Sequence, residues 1–294
     1  MPRDRTSLPA PILGSMRFGE WGARLSADAV ADLLAAALDL GIDTVDLADI
    51  YGGHTTNALA GAALAARPGL RARLTLIAKI GIRMASSPGN ARGVQHYDLS
   101  VAHLRRALDE TLAALRTDRV DTVMLHRFDP LLDPAAIAAW VHEEQAAGRV
   151  GTFGVSNFDA HAIALFDGRL PVIANQIELS LAHTAPINDG TLSATRVRGA
   201  EAQAWSPLGG GGLLDPQSPA GGRLHAPLQA MAADFGLDPT GLLLRWVATL
   251  PDTRVVLGTA NPHRLADAVR ACGEPLPRDA WYALYEAARG VAVP

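Results

Sequence analysis

The sequence feature that most constrains the fold is a regular alternation of short β-branched or apolar segments with alanine-rich segments of helical periodicity. The β-branched segments recur at intervals of roughly 30 residues, as expected of repeated strand–helix units. In chain order they span residues 12–16, 44–49, 74–80, 122–126, 151–156, 172–177, 201–205 and 255–259. Eight such units predict parallel strands that close into an α/β barrel of the (β/α)8, or TIM-barrel, type.

The helical segments carry residues that favour helix termini. Ser26 precedes an apolar-periodic stretch that ends at Gly41, and serine before such a stretch with glycine after it marks a helix. A segment after the eighth unit, residues 277–289, predicts one extra C-terminal helix that caps the barrel. Because no low-complexity linker interrupts the alternation, we expect a single domain over residues 1–294.

Composition narrows the classes of function. With 49% hydrophobic and 19% charged residues the chain can bury a large core, and a formal net charge of -4 offers no basic surplus for binding nucleic acid. Cys272 is the only cysteine, so no intrachain disulfide can form. No stretch approaches about 20 uncharged apolar residues, and the first residues lack a secretory pattern. We therefore expect a cytoplasmic protein without membrane contact.

The predicted barrel brings polar side chains from three neighbouring strands to one mouth. Inward-pointing side chains at the carboxyl ends of the strands form the active site in barrels of this type. Alternation turns Asp46, Lys79 and His126 inward, because the apolar residues beside them face the helices. Tyr51 follows at the point where the chain has left the second strand.

The segments that carry these residues resemble those of a known family. VDLADIYG, TLIAKIG and TVMLHR are similar to the three signature segments of the aldo-keto reductases. The resemblance implies a nicotinamide-dependent oxidoreductase that reduces small aldehydes or ketones to alcohols. It also implies a catalytic tetrad of Asp46, Tyr51, Lys79 and His126.

The chemistry of these residue types is consistent with that role. A phenol with an unperturbed pKa near ~10 is a poor proton donor at neutral pH, and an adjacent ammonium lowers its pKa. We expect Lys79, held by Asp46, to lower the pKa of Tyr51 in this way. Tyr51 then donates a proton to the substrate carbonyl oxygen as hydride reaches the carbon, while His126 hydrogen-bonds the same oxygen.

Three further segments, GVSNF, NQIE and WSPLGGG, resemble the family's cofactor-binding segments. The resemblance implies that Ser156, Asn157 and Gln176 hydrogen-bond the nicotinamide carboxamide, which both donates and accepts hydrogen bonds. Trp205 stands where the family places an aromatic ring against the nicotinamide. The following loop offers bare backbone amides to the pyrophosphate, although a flexible lid or a plain linker has the same glycine run. The predicted contacts in this loop are Ser206, Pro207, Leu208, Gly209 and Gly210.

GTANPHR, after the eighth strand, resembles the family's segment for the adenosine 2′-phosphate. It implies Gly258, Thr259 and Arg264 as contacts near a helix N-terminus, where anions bind readily. NADP(H) is therefore the implied cofactor. Many family members have a lysine at the position of Gly258, which predicts a weaker preference for NADP in this chain. No GxGxxG segment follows the first strand, and this disfavours a Rossmann fold.

Two other interpretations stay open on the sequence alone. Lys79, between Ile77 and Ile80, could be a desolvated amine that forms a Schiff base in a lyase. A barrel with an intact tetrad could also be a cofactor-sensing regulatory protein, although no exposed heptad or apolar stripe indicates a partner surface. We expect a monomer or a weak oligomer. The sequence contains no HExxH or CxxC motif, so no metal site is predicted.

The substrate of the predicted enzyme depends on the loops that follow the strands. The predicted pocket residues in these loops are Trp21, His54, Tyr97 and Phe128. Because the C-terminal tail is short and the loops are modest, we expect an open site that admits varied aldehydes or ketones.

Overall fold

Eight strands pair in parallel and close into a barrel in the computed structural model, which describes residues 8–294. The strands of the described chain are β1 (Ile12–Gly14), β2 (Thr44–Ala48), β3 (Thr75–Ile80), β4 (Ile82–Arg83), β5 (His96–Tyr97), β6 (Val120–Leu125), β7 (Val150–Ser156), β8 (Val172–Glu178), β9 (Glu201–Trp205) and β10 (Thr253–Leu257). Around the barrel the order is β1, β2, β3, β6, β7, β8, β9 and β10, and β10 pairs with β1. The short strands β4 and β5 form a separate antiparallel pair. The predicted (β/α)8 barrel is confirmed.

Helices surround the barrel and connect its strands. In the same residues they are α1 (Ala27–Asp39), α2 (Tyr51–His54), α3 (Thr56–Ala66), α4 (Val101–Leu115), α5 (Pro134–Ala146), α6 (Ala160–Ala164), α7 (Ala185–Asn188), α8 (Thr191–Val197), α9 (Pro219–Asp234), α10 (Pro239–Ala248), α11 (Pro262–Ala271) and α12 (Arg278–Arg289). Helix α1 begins where the sequence predicts, because the Ser26 side chain accepts a hydrogen bond from the backbone N–H of Ala29. The extra C-terminal helix is α12.

A pair of tryptophans fixes α12 against α10. The rings of Trp246 and Trp281 stack with their centroids 4.6 Å apart. Each indole N–H also donates a hydrogen bond to the carbonyl oxygen of the other residue, at 3.0 and 2.9 Å. Because both indoles are buried, ring packing and satisfied N–H groups together hold the C-terminal helix on the barrel.

Alternation along the strands separates the two faces of the barrel sheet. Val45 and Leu47 of β2 belong to the main apolar core between the strands and the helices. Ile77 and Met124 belong to a small cluster inside the barrel. Asp46 alternates with Val45 and Leu47 and pairs in register with Ile77, so it lies on the inner face as predicted.

The glycine run after β9 forms tight turns of 3-10 type over Gly209–Leu214, with a kink at Gly210 and Gly211, rather than an open loop. Within it Gly210 and Gly211 have φ angles of 65° and 99°. Such angles are accessible to glycine at little cost and strain other residues, which explains why the run contains glycines.

Candidate active site

The carboxyl ends of the barrel strands surround a cavity of about 1230 Å³. Most of the residues that the sequence predicts for the site line this cavity. They are Trp21, Asp46, Tyr51, Lys79, Tyr97, His126, Ser156, Asn157, Gln176, Trp205, Ser206, Pro207, Leu208, Gly210, Gly258, Thr259 and Arg264. A second cavity of about 1300 Å³ lies at the opposite mouth, where Thr44, Thr75 and Glu201 begin their strands. The candidate active site is the first cavity, because the predicted groups converge there.

The ammonium of Lys79 is the centre of a buried hydrogen-bonded cluster. Its Nζ donates to Asp46 Oδ2 and to Tyr51 Oη, both at 2.7 Å. The Tyr51 hydroxyl in turn donates to Asp46 Oδ2 at 3.4 Å. Lys79 is 1% exposed and Asp46 is 2% exposed, so this ion pair lies in the barrel interior rather than on its rim. A buried charge pair is tolerated where its members are paired and hydrogen-bonded in this way.

The acidity of Tyr51 differs from the sequence-based prediction. Burial raises the pKa of Tyr51 well above its ordinary value of 10.0, and the Asp46 carboxylate raises it further. Burial also lowers the pKa of Lys79, against the opposing effect of Asp46. The expected lowering of the phenol pKa is therefore wrong, since burial and the Asp46 carboxylate outweigh the lowering effect of the Arg127 guanidinium. Tyr51 holds its proton firmly at neutral pH.

His126 stands beside the tyrosine as a neutral imidazole. Its ring meets the Tyr51 ring edge to face, with centroids 6.0 Å apart. Burial lowers the pKa of His126 well below 6.5, and the positive charges of Lys79 and Arg127 lower it further. Its Nδ1 is buried and has no hydrogen-bond partner among the described residues. The imidazole is therefore uncharged at physiological pH.

Gln176, predicted as a cofactor contact, joins the Lys79 cluster in this structure. Its Oε1 accepts the third hydrogen bond of the ammonium, at 2.6 Å from Lys79 Nζ. Its Nε2 donates to Asp46 Oδ1 at 2.9 Å. The glutamine thus contacts both members of the ion pair, and all three hydrogens of the ammonium have an acceptor. Nothing in the sequence spacing reveals this contact, since Gln176 and Lys79 are 97 residues apart.

A second polar group lies at the ends of β7 and β9. The Trp205 indole N–H donates to Asn157 Oδ1 at 3.0 Å. Asn157 Nδ2 donates to Ser156 Oγ at 2.8 Å and to the His126 carbonyl oxygen at 3.3 Å. Asn157 and Ser206 have φ angles of 59° and 50°, a region that residues other than glycine adopt rarely. Such strain is typical of loops held in place for binding.

The N-terminus of α11 forms the outer end of the cavity. Asn261 caps this ten-residue helix, and its side chain accepts hydrogen bonds from the backbone N–H groups of His263 and Arg264. The Arg264 side chain is exposed, lines the cavity and has no carboxylate partner among residues 8–294. Thr259 lies beside it, and its hydroxyl accepts from the Asn261 N–H at 3.2 Å. A free guanidinium at a helix N-terminus is suited to a phosphate.

Three predicted residues are not among those that line the cavity. The His54 ring bonds to the Asp49 carbonyl oxygen through Nδ1 and to Ser87 Oγ through Nε2, at 3.0 and 3.1 Å. Phe128 packs edge to face on the buried ring of Phe158, 5.5 Å away. Gly209 faces Ala182 and Leu213, so the chain approaches the cavity through Gly210 and Gly211 instead.

Arg127 is a lining residue that the sequence reasoning did not select. Its guanidinium lies 5.6 Å from the centroid of the Trp205 ring, a cation–π contact. It also contributes to lowering the pKa of His126. The only signal available in the sequence is that Arg127 directly follows His126 at a strand end. The alternation that turns His126 inward would turn Arg127 outward, so it does not predict that Arg127 lines the cavity.

No group of three or more His, Cys, Asp or Glu side chains is arranged to hold a metal ion within residues 8–294. In the same residues no helix is both long enough and apolar enough to span a membrane.

The fold and the cluster together define a class of protein. A closed parallel barrel with a buried Asp–Lys pair, a tyrosine on the ammonium and a neighbouring histidine is the arrangement that the sequence resemblance predicts. The chain belongs to the Aldo/keto reductase family of oxidoreductases, whose sequence profile matches residues 12–289.

Individual relatives agree with this assignment. The chain is 34% identical over 289 residues to the uncharacterized oxidoreductase YcsN of Bacillus subtilis, covering 96% of this chain and 95% of that protein. It is 35% identical to a 6-dehydroglucose reductase of Agrobacterium fabrum, covering 99% and 97%. Its fold is similar to that of an aldo/keto reductase from Klebsiella pneumoniae solved with NADP and acetate. That likeness has a TM-score of 0.78 and 22% identity and covers 96% of this chain and 92% of that one.

Proposed function

We propose that this protein reduces aldehydes or ketones to alcohols with NADPH, and that Tyr51 is the proton donor. The observation that carries the proposal is the 2.7 Å hydrogen bond from Lys79 Nζ to Tyr51 Oη inside a cavity wide enough for a cofactor and a small substrate. A phenol on an ammonium is suited to releasing a proton only when a basic oxygen develops next to it.

The residues of the cluster have distinct roles in this proposal. The high pKa of Tyr51 keeps the hydroxyl protonated until the substrate oxygen gains negative charge. As that proton moves to the oxygen, the Lys79 ammonium stabilises the phenolate that forms, and Asp46 keeps the ammonium in place. Neutral His126 hydrogen-bonds the same substrate oxygen and fixes its position. NADPH, when bound, supplies the hydride to the carbonyl carbon.

The residues around the cavity fit a phosphorylated dinucleotide. Trp205 and Asn157 would hold the nicotinamide end, with Ser156 and Gln176 beside them, and the segment 206–210 would approach the phosphates. Thr259 and the unpaired guanidinium of Arg264 would bind the 2′-phosphate, beside Gly258. Structures of aldo/keto reductases from Klebsiella pneumoniae with this fold, solved in complex with NADP and with NADPH, support this assignment. We therefore infer NADPH rather than NADH as the preferred cofactor.

A hydroxylated aldehyde is the substrate class that we would test first. Two relatives, 35% and 36% identical to this chain, are named 6-dehydroglucose reductase. The substrate side of the cavity carries both polar and aromatic groups, with Arg127, Trp21 and Tyr97 among its lining residues. Guanidinium and aromatic side chains together suit a small molecule that has hydroxyl groups on an apolar ring or chain.

The proposal is tested by NADPH consumption with a panel of sugar-derived, aliphatic and aromatic carbonyl compounds. We expect Tyr51→Phe to retain NADPH binding and to lose turnover by a factor of roughly 10²–10⁴, the range for loss of a general acid. Tyr282→Phe is the matched control, because Tyr282 lies on α12 and lines the opposite cavity. Full turnover in Tyr51→Phe would refute the assignment of the proton donor.

The lyase interpretation is disfavoured by the surroundings of Lys79. A nucleophilic amine needs a free lone pair, whereas the Nζ has three hydrogen-bonding oxygens within 2.7 Å, one of them on the Asp46 carboxylate, which favours the ammonium form. Borohydride with a carbonyl compound should leave Lys79 unmodified. Covalent trapping at that residue would favour the lyase.

A further inference from the structure

A chain of hydrogen-bonded polar side chains, called the file below, runs through the barrel from the candidate active site to the opposite mouth and consists of Gln176, Gln203 and Glu201. Gln176 Nε2, already bonded to Asp46, lies 3.3 Å from Gln203 Oε1. Gln203 Nε2 donates to Glu201 Oε1 at 3.1 Å, and Glu201 pairs with Arg254 at 3.8 Å. Gln203 is 3% exposed. Barrel interiors are packed mainly with branched apolar side chains, so a buried glutamine here needs an explanation.

The contacts give each amide of the file one favoured orientation. Gln203 turns its NH₂ group toward the Glu201 carboxylate, which leaves its Oε1 toward Gln176. Gln176 turns its Oε1 toward the Lys79 ammonium and its NH₂ group toward Asp46 and Gln203. Flipping either amide would place donors against donors or acceptors against acceptors. The carboxylate at the far mouth thus fixes the same arrangement as the ion pair at the catalytic mouth.

We propose that Gln203 is a positioning residue for proton donation: it holds Gln176 in the orientation that keeps the third acceptor on the Lys79 ammonium. This inference rests on the proposed function, because its kinetic consequence concerns Tyr51. The second N–H of Gln176 has Gln203 as its acceptor inside the barrel. Without that acceptor a buried N–H is unsatisfied, so the amide rotates toward the cavity and withdraws its Oε1 from Lys79.

The sign of the effect on pH dependence follows from the charges that face Lys79. Asp46 and Asp49 favour the charged ammonium, whereas burial and Arg127 disfavour it. His126 is neutral beside it, because burial and the cationic neighbours keep its pKa well below 6.5. Removing an acceptor makes the ammonium less stable, so Lys79 loses its proton at a lower pH. The basic limb of the kcat–pH profile should therefore move to lower pH.

The test uses Gln203→Met, which has a similar length but no donor or acceptor. We expect kcat to fall about tenfold, as for other supporting hydrogen bonds around a site, and the basic limb to move down by about one pH unit. A kcat and pH profile equal to those of the wild type would overturn the proposal. Met124→Leu is the control, since Met124 belongs to the apolar cluster inside the barrel and should keep the wild-type profile.

A double variant separates positioning from packing. The double variant Glu201→Gln with Gln203→Glu exchanges the two groups. The new carboxylate at position 203 still accepts from Gln176, and the new amide at position 201 can donate to that carboxylate. We expect kcat to recover and the basic limb to lie at or above the wild-type pH, because a carboxylate is then nearer to Lys79. If Gln203→Met fails to fold, the pH profile of the double variant is the test. A basic limb at lower pH than in the wild type would contradict the proposal.

A measurement without turnover distinguishes this inference from the proposed function. The side-chain NH₂ signals of Gln176, assigned by NMR with the help of Gln176→Leu, should exchange slowly with solvent in the wild type and faster in Gln203→Met. Equal exchange in both proteins would overturn the positioning role. If no carbonyl compound of the panel supports NADPH consumption by the wild type, the proposed function is refuted and the exchange result remains valid.

Discussion

The buried Lys79 cluster and the exposed rim at α11 differ in how far their charged side chains are buried and paired. In the cluster, Lys79 and Asp46 are 1% and 2% exposed, and every hydrogen of the ammonium has an acceptor. On the rim, Arg264 is exposed and has no carboxylate partner within residues 8–294. The difference teaches that the proposed groups for proton transfer are held by strands of the core, whereas the proposed groups for an anionic ligand are left free at a helix end.

This contrast has a consequence for mutations. A charge whose partners are all inside the protein cannot be removed without leaving one of them unpaired, so stability and activity should change together in the cluster. An exposed charge without a partner contributes little to folding, so a change on the rim should alter ligand affinity alone.

Lys79→Met should produce the largest effect. Its removal leaves the buried Asp46 carboxylate without a counter-charge, and we expect a loss of about 3–5 kcal/mol in the free energy of unfolding together with a loss of turnover of roughly 10²–10⁴. Urea unfolding and NADPH consumption measure the two losses.

A double variant sharpens this test. Adding Asp46→Asn to Lys79→Met removes the unpaired charge, so stability should return in part while turnover stays lost. Recovery of turnover in the double variant would show that the ammonium is dispensable. Arg119→Met is the control for loss of a cation, because the Arg119 side chain is 56% exposed in its pair with Asp121 and should matter little.

Asp49 offers a second, smaller test of the buried side. It follows β2, its backbone N–H donates to the Lys79 carbonyl oxygen, and its Oδ1 is buried without a hydrogen-bond partner among the described residues. Burial raises the pKa of Asp49 from 3.8 to about 7. The stability that this raised pKa contributes is present below pH 3.8 and is lost as the pH rises through 7. Between pH 5 and pH 8 the free energy of unfolding of Asp49→Asn should therefore exceed that of the wild type by an amount that grows with pH, roughly 2–4 kcal/mol.

Urea unfolding midpoints across this pH range measure the gain, and an exposed carboxylate gives a control of opposite sign. The Arg198 guanidinium lowers the pKa of Asp167, so that pair stabilises the protein above the ordinary carboxyl pKa and loses its effect as the pH falls. Asp167→Asn should be slightly less stable than the wild type at pH 8. A pH-independent difference between Asp49→Asn and the wild type would contradict burial as the cause of the raised pKa.

The sequence predicts the buried side of this comparison well because strand alternation has a period of two residues. Once Val45 and Leu47 are assigned to the outer core, Asp46 must point inward, and the same reasoning applies to Lys79. Parallel pairing then brings the two strands together at the register seen between Ala48 and Lys79. The eightfold repeat and the inward groups can therefore be predicted without coordinates.

The parts that the sequence did not predict depend on distances across the barrel or on loop paths. The pKa of Tyr51 rises because burial and the Asp46 carboxylate both raise it, and the depth at which the tyrosine is buried cannot be derived from strand alternation. The contact between Gln176 and Lys79 joins opposite walls of the barrel. His54 ends the short helix α2 and Phe128 lies in the loop after β6, and local hydrogen bonds and core packing turn these side chains away from the cavity lining.

The smallest expected effect is on the rim, at Arg264. Because its guanidinium is exposed and unpaired in the described chain, Arg264→Ala should leave the free energy of unfolding unchanged. If this side chain binds the 2′-phosphate, NADPH should bind more tightly than NADH in the wild type, and the variant should narrow that gap about tenfold, or about 1.4 kcal/mol. Quenching of tryptophan fluorescence measures both dissociation constants.

Arg270→Ala is the matched control, since Arg270 lies on the same helix, pairs with Asp267 and is not among the lining residues. Equal affinity of the wild type for the two cofactors would show that the 2′-phosphate is not recognised, and a loss of stability in Arg264→Ala would contradict the comparison between an exposed rim and a buried cluster.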